Sequence, residues 1–592
     1  MNRFEKYLRL FLVWRVRNIK DKPFILILSV LIGLLTGLAA VVLKNTVHFI
    51  QEVLVKQFSD LNINYLYLFY PFMGILFTTL IIKYIIKKPL GHGVPATLLS
   101  ISRQNAIMPL HSTYSSIITS AFTVGFGGSV GLEGPTISTG ASIGSNVGRL
   151  LRLDFRNRAL LMACAASGAM AAMFKAPIAA VIFSIEVLML DLTLSSMIPL
   201  LLASSVAVLT SYFFFGRDVL LHPDMKNAFF FHEVPFFVLL GILTGFFSVH
   251  FTRGFYMVSG FFNNIKNTFT KILAGGVFLG VLIFIFPPLF GEGYESINFL
   301  LQGNHDVLLK SSLFFPFRDN VWMVILFLGS MVFFKTFATA ATLGAGGIGG
   351  IFAPSLFMGS LLGYTSGLIA NELFNLDVSL ISAALVGMTG TVAGVLHAPL
   401  TAIFLIAEVS SGYDLIIPLM MTSAISYSTM RYFEKYSIYT SELAKQGDLL
   451  THHKDKTVLT LLKVPDLVEK NFLTVSPDDS LRTLVKLIKE SVRNIFPVVS
   501  EDGDFLGLIP LDNIRKIMFE QEMYDNVFVR DLMIQPGELV TMQDNMDIVM
   551  EKFKSSGHWN LPVVDNGKYI GFVSRANIFN AYRNMLLRFS ED

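Results

Sequence analysis

Between residues 24 and 430 the chain alternates long charge-free apolar runs with short polar or glycine-rich breaks. Phe24–Leu43 reads FILILSVLIGLLTGLAAVVL, twenty residues without a charge. A helix of that length crosses ~30 Å of hydrocarbon. Further runs at 65–82, 113–130, 159–190, 197–215, 234–252, 273–290, 321–343, 351–370, 379–409 and 415–430 predict ten or more spans, several short or glycine-broken. From about residue 449 the pattern changes to short β-rich runs alternating with amphipathic helical stretches. A boundary is therefore expected near Lys445–Asp448.

Composition fits this picture. Only 15% of the 592 residues are charged, where soluble domains run near a quarter. The net charge of +3 gives no basis for nucleic-acid binding. Residues 1–22 carry Arg3, Lys6, Arg9, Arg15, Arg17, Lys20 and Lys22 against Glu5 and Asp21. The positive-inside rule then puts the N-terminus in the cytoplasm. Phe4, Leu8, Phe11, Leu12 and Trp14 recur near helical spacing, as in an amphipathic helix at the inner interface. No small-residue cleavage site follows the first apolar run, so a signal peptide is not expected. Cys164, the only cysteine, lies among alanines in LMACAASGAM and reads as a packing residue.

The membrane part repeats itself. Gly168–Val187 reads GAMAAMFKAPIAAVIFSIEV and Gly390–Val409 reads GTVAGVLHAPLTAIFLIAEV, at an offset of 222. Pro177/Pro399 and Glu186/Glu408 are among the identities. Upstream, GLEGP at 131–135 meets GIFAP at 350–354. Interrupted segments at matching places in two halves point to a transporter binding site. Helices beginning there present free N–H groups and positive dipole ends, which suit an anion without any basic side chain. Glu133 is then either an acid complementing its helix dipole or a titratable gate.

The tail repeats too. Phe496-Pro497-Val498-Val499 with Gly507-Leu508-Ile509 matches Leu561-Pro562-Val563-Val564 with Gly571-Phe572-Val573. This resembles a pair of CBS domains over about 465–520 and 528–588. Such pairs dimerise and regulate their hosts, in some cases through adenine nucleotides. The family places Ser or Thr three residues after the glycine and Asp at six. Here those positions hold Pro510 and Asn513 in the first unit and Ser574 and Asn577 in the second, which speaks against a nucleotide.

With GGSVGLEGP, GGIGGIFAP, GHGVP at 91–95 and SIYTSEL at 437–443 in order, the chain resembles the CLC family of chloride channels and proton-coupled chloride exchangers. The resemblance implies an all-α polytopic membrane protein, an inverted repeat of broken and tilted helices, followed by the α/β CBS pair. It implies three segments: an amphipathic cytoplasmic helix at 1–22, a transport domain of two repeats at 23–448, and a cytoplasmic CBS pair at 449–592. It further implies a homodimer in the cell membrane, with both termini cytoplasmic and each subunit holding its own anion pore.

Matched residue by residue, Glu133 becomes the gating glutamate, whose ionised side chain competes with anions. Leu132, Gly134, Ile351, Phe352, Ala353 and the Tyr439 hydroxyl become anion-binding positions. His92 stands where the family usually has a serine that contacts the central anion, which leaves chloride, nitrate and fluoride open. Val187 occupies the position of the inward-facing proton glutamate of well-studied exchangers and favours a passive channel. A proton-coupled antiporter is the alternative. Glu186 and Glu408 read as structural acids. From a different class, the membrane part could be a scaffold for a CBS-based sensor. His452-His453 lack zinc-ligand spacing, and the chain has no GxxxxGK[ST]. Neither an enzyme, nor a metal site, nor a cofactor is expected, and chloride is the transported ion.

Overall fold

The computed structural model describes residues 3–56, 65–88, 90–91, 93–188, 194–216, 221, 223, 230–310, 312–410, 413–445 and 462–590. It forms two compact units, Met1–Leu449 and Leu450–Asp592. His92, His452 and His453 lie outside the described residues.

Among the described residues, seven helices of the first unit are long and apolar enough to cross a membrane, and five more apolar helices are shorter. The apolar run at 159–190 is two helices, Phe155–Phe174 and Pro177–Glu186, and that at 379–409 is Leu380–Leu396 and Pro399–Val409. Hydropathy merges each pair, but proline has no N–H and is best placed in a first helical turn. Pro177 and Pro399 each open the second helix of their pair. Lys175 and His397, one repeat apart, both close the preceding helix in the left-handed conformation, at φ 58° and 55°.

The two halves pack alike. Glu133–Leu150 lies against Phe155–Phe174, and Phe352–Phe374 lies against Leu380–Leu396. Glycine, alanine and serine line these contacts, so the backbones approach closely. The halves are also stitched reciprocally. Glu186 accepts hydrogen bonds from the Leu400 and Thr401 amides at 3.1 and 2.8 Å, while Glu408 accepts from those of Ile178 and Ala179 at 3.1 and 2.8 Å. Each acid thus caps the short helix of the other half, satisfying its free N–H groups and its dipole. Cys164 is fully buried, with the Ser29 hydroxyl 3.8 Å from its sulfur.

The N-terminal helix spans Arg3–Asn18 and leaves Phe11 and Trp14 exposed. Arg15 differs from the exposed Arg9 and Arg17 of this helix. It is buried, paired with Asp21 at 2.5 Å and stacked 4.1 Å from the Phe24 ring.

The second unit contains two antiparallel hairpins. Strand β1 (Ile495–Val499) pairs with β2 (Phe505–Pro510), and β3 (Asn560–Asp565) with β4 (Lys568–Ser574). A preceding extended residue, Val475 or Val540, bridges in parallel to Val498 or Val563. Each hairpin has its own core, one around Phe496, Val498 and Ile509 and the other around Leu561, Val563 and Val573.

Candidate anion site

Four of the sequence-predicted segments converge. Glu133 is the first residue of the Glu133–Leu150 helix and Phe352 the first of Phe352–Phe374. Just before these starts, Gly131 and Gly350 exchange two backbone hydrogen bonds, at 2.8 and 2.7 Å. The two pentapeptides are therefore held side by side by their own main chains. No side chain fits at this crossing: a Cβ on Gly350 would lie 2.8 Å from the Gly134 nitrogen. The helix Gly93–Arg103 begins against the same point, Gly93 facing the Cα of Gly134. Tyr439 is buried, with Glu133 as a charged group close enough to act on its hydroxyl.

The centre is Glu133, only 1% exposed. One carboxylate oxygen, Oε1, accepts a short hydrogen bond from the Tyr294 hydroxyl. The other, Oε2, is buried and accepts none. The Ala353 amide is near enough to act on the carboxylate without closing a hydrogen bond to Oε2. Phe352 packs on Phe174 with ring centroids 5.3 Å apart, and Phe174 meets the edge of Tyr294 at 6.4 Å. Three rings thus form an apolar wall beside an ionisable group. A carboxylate here faces the free N–H groups of helix starts, donors that suit an anion equally well. An acid meant only to complement a dipole would need neither this enclosure nor a tyrosine clamp.

The remaining residues fall less evenly. Ile351, Phe352 and Ala353 lie buried at the start of their helix, and Gly134 sits at the crossing. The Leu132 amide, expected to serve an anion, instead donates to Oε1 of Glu292 at 3.2 Å. Val187 is buried at the end of Pro177–Glu186. The neighbouring Glu186 carboxylate is committed to the Leu400 and Thr401 amides. Sequence reasoning missed Tyr294, Phe174, Glu292 and Lys335. The glycine-flanked GEGYES at 291–296 was the signal available for two of them.

A family model described as voltage gated chloride channel matches residues 73–431. The chain belongs to this family. CBS domain models match residues 464–520 and 529–584. Among curated CLC relatives, the H(+)/Cl(-) exchange transporter ClcA of Vibrio cholerae is 28% identical over 422 residues, covering 68% of this chain and 86% of that protein. Chloride channel protein CLC-f of Arabidopsis thaliana is 27% identical over 458 residues, covering 68% of this chain, which spans 56% of that relative. The fold matches that of a slow cyanobacterial Cl-/H+ antiporter with a TM-score of 0.62 and 23% identity, over 72% of this chain and 99% of that one. A eukaryotic CLC transporter matches with a TM-score of 0.59 and 18% identity, over 93% of this chain and 97% of that one. The CLC chain is a multi-pass membrane protein with a C-terminal CBS pair.

In the second unit of that pair, the two positions expected to face a nucleotide are engaged internally. The Ser574 hydroxyl donates to Glu469 at 2.6 Å and the Asn577 side chain donates to the Leu467 carbonyl at 2.9 Å. Glu469 is also paired with Arg493 at 2.7 Å.

Proposed function

We propose that this CLC protein exchanges chloride, or a similar small inorganic anion, for protons across a membrane, with Glu133 as the group both ions share. The observation that carries the reading is the Glu133 carboxylate at the meeting of helix starts, clamped by Tyr294 through one oxygen and left without a partner on the other. Protonating this group removes its charge, frees it from the amide donors and opens their position to an anion. Losing the proton brings it back. Anion passage and proton movement are then two outcomes of one side-chain displacement.

Relatives named as H(+)/Cl(-) exchangers favour exchange over the passive channel that Val187 suggested. The channel is the second reading, and Val187 is its specific support. On either reading the protein is a transporter rather than an enzyme, works as a homodimer and keeps both termini in the cytoplasm. The CBS pair regulates it without a nucleotide at Asn577. Reconstitution with an imposed chloride gradient separates the two readings. Exchange drives protons uphill, and a channel does not.

A further inference from the structure

If the protein exchanges protons, the proton needs a second holding point, because Val187 cannot supply one. A candidate lies beside the gate. Glu292 and Tyr294, two residues apart on one turn, grip both sides of the gating segment: Tyr294 holds the Glu133 carboxylate, while Glu292 takes the amide of Leu132. Lys335 comes in from the helix Val321–Gly344, fully buried. Its ammonium donates to the Ser129 hydroxyl at 2.8 Å and to the Gly291 carbonyl at 3.4 Å, and sits 4.6 Å from the Phe357 ring centre. Lys44, from the helix Asp21–Lys56, donates to the Met173 carbonyl at 3.2 Å. Glu133, Lys44 and Lys335 are the charged groups that act on Glu292.

Such a grouping is expensive to build in a membrane protein, and intramembrane ionisable residues commonly mark ion or proton paths. Two carboxylates and two ammoniums near one another can carry one proton more or fewer without leaving a lone buried charge. Exposure also divides the carboxylates. Glu133 is sealed, whereas Glu292 is only partly buried.

We propose that Glu292 is the second proton site of this transporter, exchanging protons with Glu133 in the role for which Val187 has no acid. The step rests on the exchange reading above. When the anion leaves the site that the protonated Glu133 had vacated, the Glu133 carboxyl proton passes to the Glu292 carboxylate. One O–H bond breaks and one forms, and the buried Lys335 and the part-buried Lys44 supply positive charge in the same region. Ionised by that transfer, Glu133 returns to its amide donors and closes the gate; the return step, a proton from Glu292 to Glu133, neutralises the gate and opens it.

The test uses the full-length protein in vesicles, with chloride efflux and proton uptake recorded together. In Glu292→Gln the proton uptake per chloride transported is expected to fall by at least about tenfold, as losing a positioned proton carrier demands. Wild-type coupling in Glu292→Gln overturns the proposal but leaves exchange standing. Wild-type vesicles that pass chloride without protons overturn exchange itself. Should Glu292→Gln not fold, Lys335→Met is read instead. Removing this cation favours the protonated acids, so the pH profile of proton uptake moves to higher pH, and an unmoved profile overturns the proposal.

Discussion

The Tyr294 hydroxyl donates a hydrogen bond to Oε1 of Glu133 across 161 residues of sequence. A hydrogen bond to an ionised group stabilises that form by roughly 1.5–3 kcal/mol, and 1.36 kcal/mol corresponds to one pH unit. In Tyr294→Phe the gate is therefore expected to protonate and open at higher pH. The midpoint of pH-dependent chloride flux should rise by about one to two units. An unmoved midpoint would mean that the hydroxyl does not hold the gate.

Gly131 explains how tightly the closed gate fits. A Cβ there would lie 2.0 Å from Oε2 of Glu133 and 3.0 Å from the Ala353 Cβ. Gly131→Ala is thus expected to push the carboxylate out of its seat and to flatten the pH dependence of flux. Flux with normal pH dependence would show that the carboxylate rests elsewhere.

Glu186 and Glu408 provide a control on which acids handle protons. Each caps two amides of the other half. Replacing either by Gln should cost about 1–3 kcal/mol of stability, because helix-start amides lose a charged acceptor. Thermal unfolding in detergent would register the loss, and proton-to-anion stoichiometry should not change. A Glu186→Gln protein with normal unfolding but no coupling would make Glu186 a proton carrier.

In the CBS pair, Asp544 accepts from Lys552 at 2.6 Å and from the Thr541 amide and hydroxyl at 3.0 and 2.9 Å. Burial alone would push its carboxyl up, but these bonds outweigh it and hold the group below the ordinary carboxylate value. Its stabilisation is present above that ordinary value and is lost as pH falls through the lowered one. Asp544→Asn is expected to cost about 1–2 kcal/mol at neutral pH. Faster amide hydrogen exchange in Met546–Ser556 reads this out, with the difference shrinking in acid. Equal exchange at neutral pH would remove Asp544 from the stability of the unit.

The repeat was legible in the sequence because it is written twice. The 222-residue offset pairs Glu186 with Glu408 and Pro177 with Pro399, and their mutual capping follows from helices that start and end at equivalent places. The meeting of GLEGP with GIFAP was legible for the same reason. Tyr294, Glu292 and Lys335 were not. They reach Glu133 from the turn at 291–296 and from inside a long helix, through tertiary packing that no local periodicity records. The amide of Leu132 shows the same limit. Its place at a helix start was readable, but its partner Glu292 lies 160 residues away.

The most direct measurement is simultaneous chloride and proton flux in vesicles containing the wild-type protein or Glu133→Gln. Wild type should drive protons uphill against a chloride gradient, and Glu133→Gln should pass chloride without protons and without pH dependence. Wild-type chloride flux with no accompanying protons, or a Glu133→Gln protein that still couples the two, would contradict exchange through Glu133.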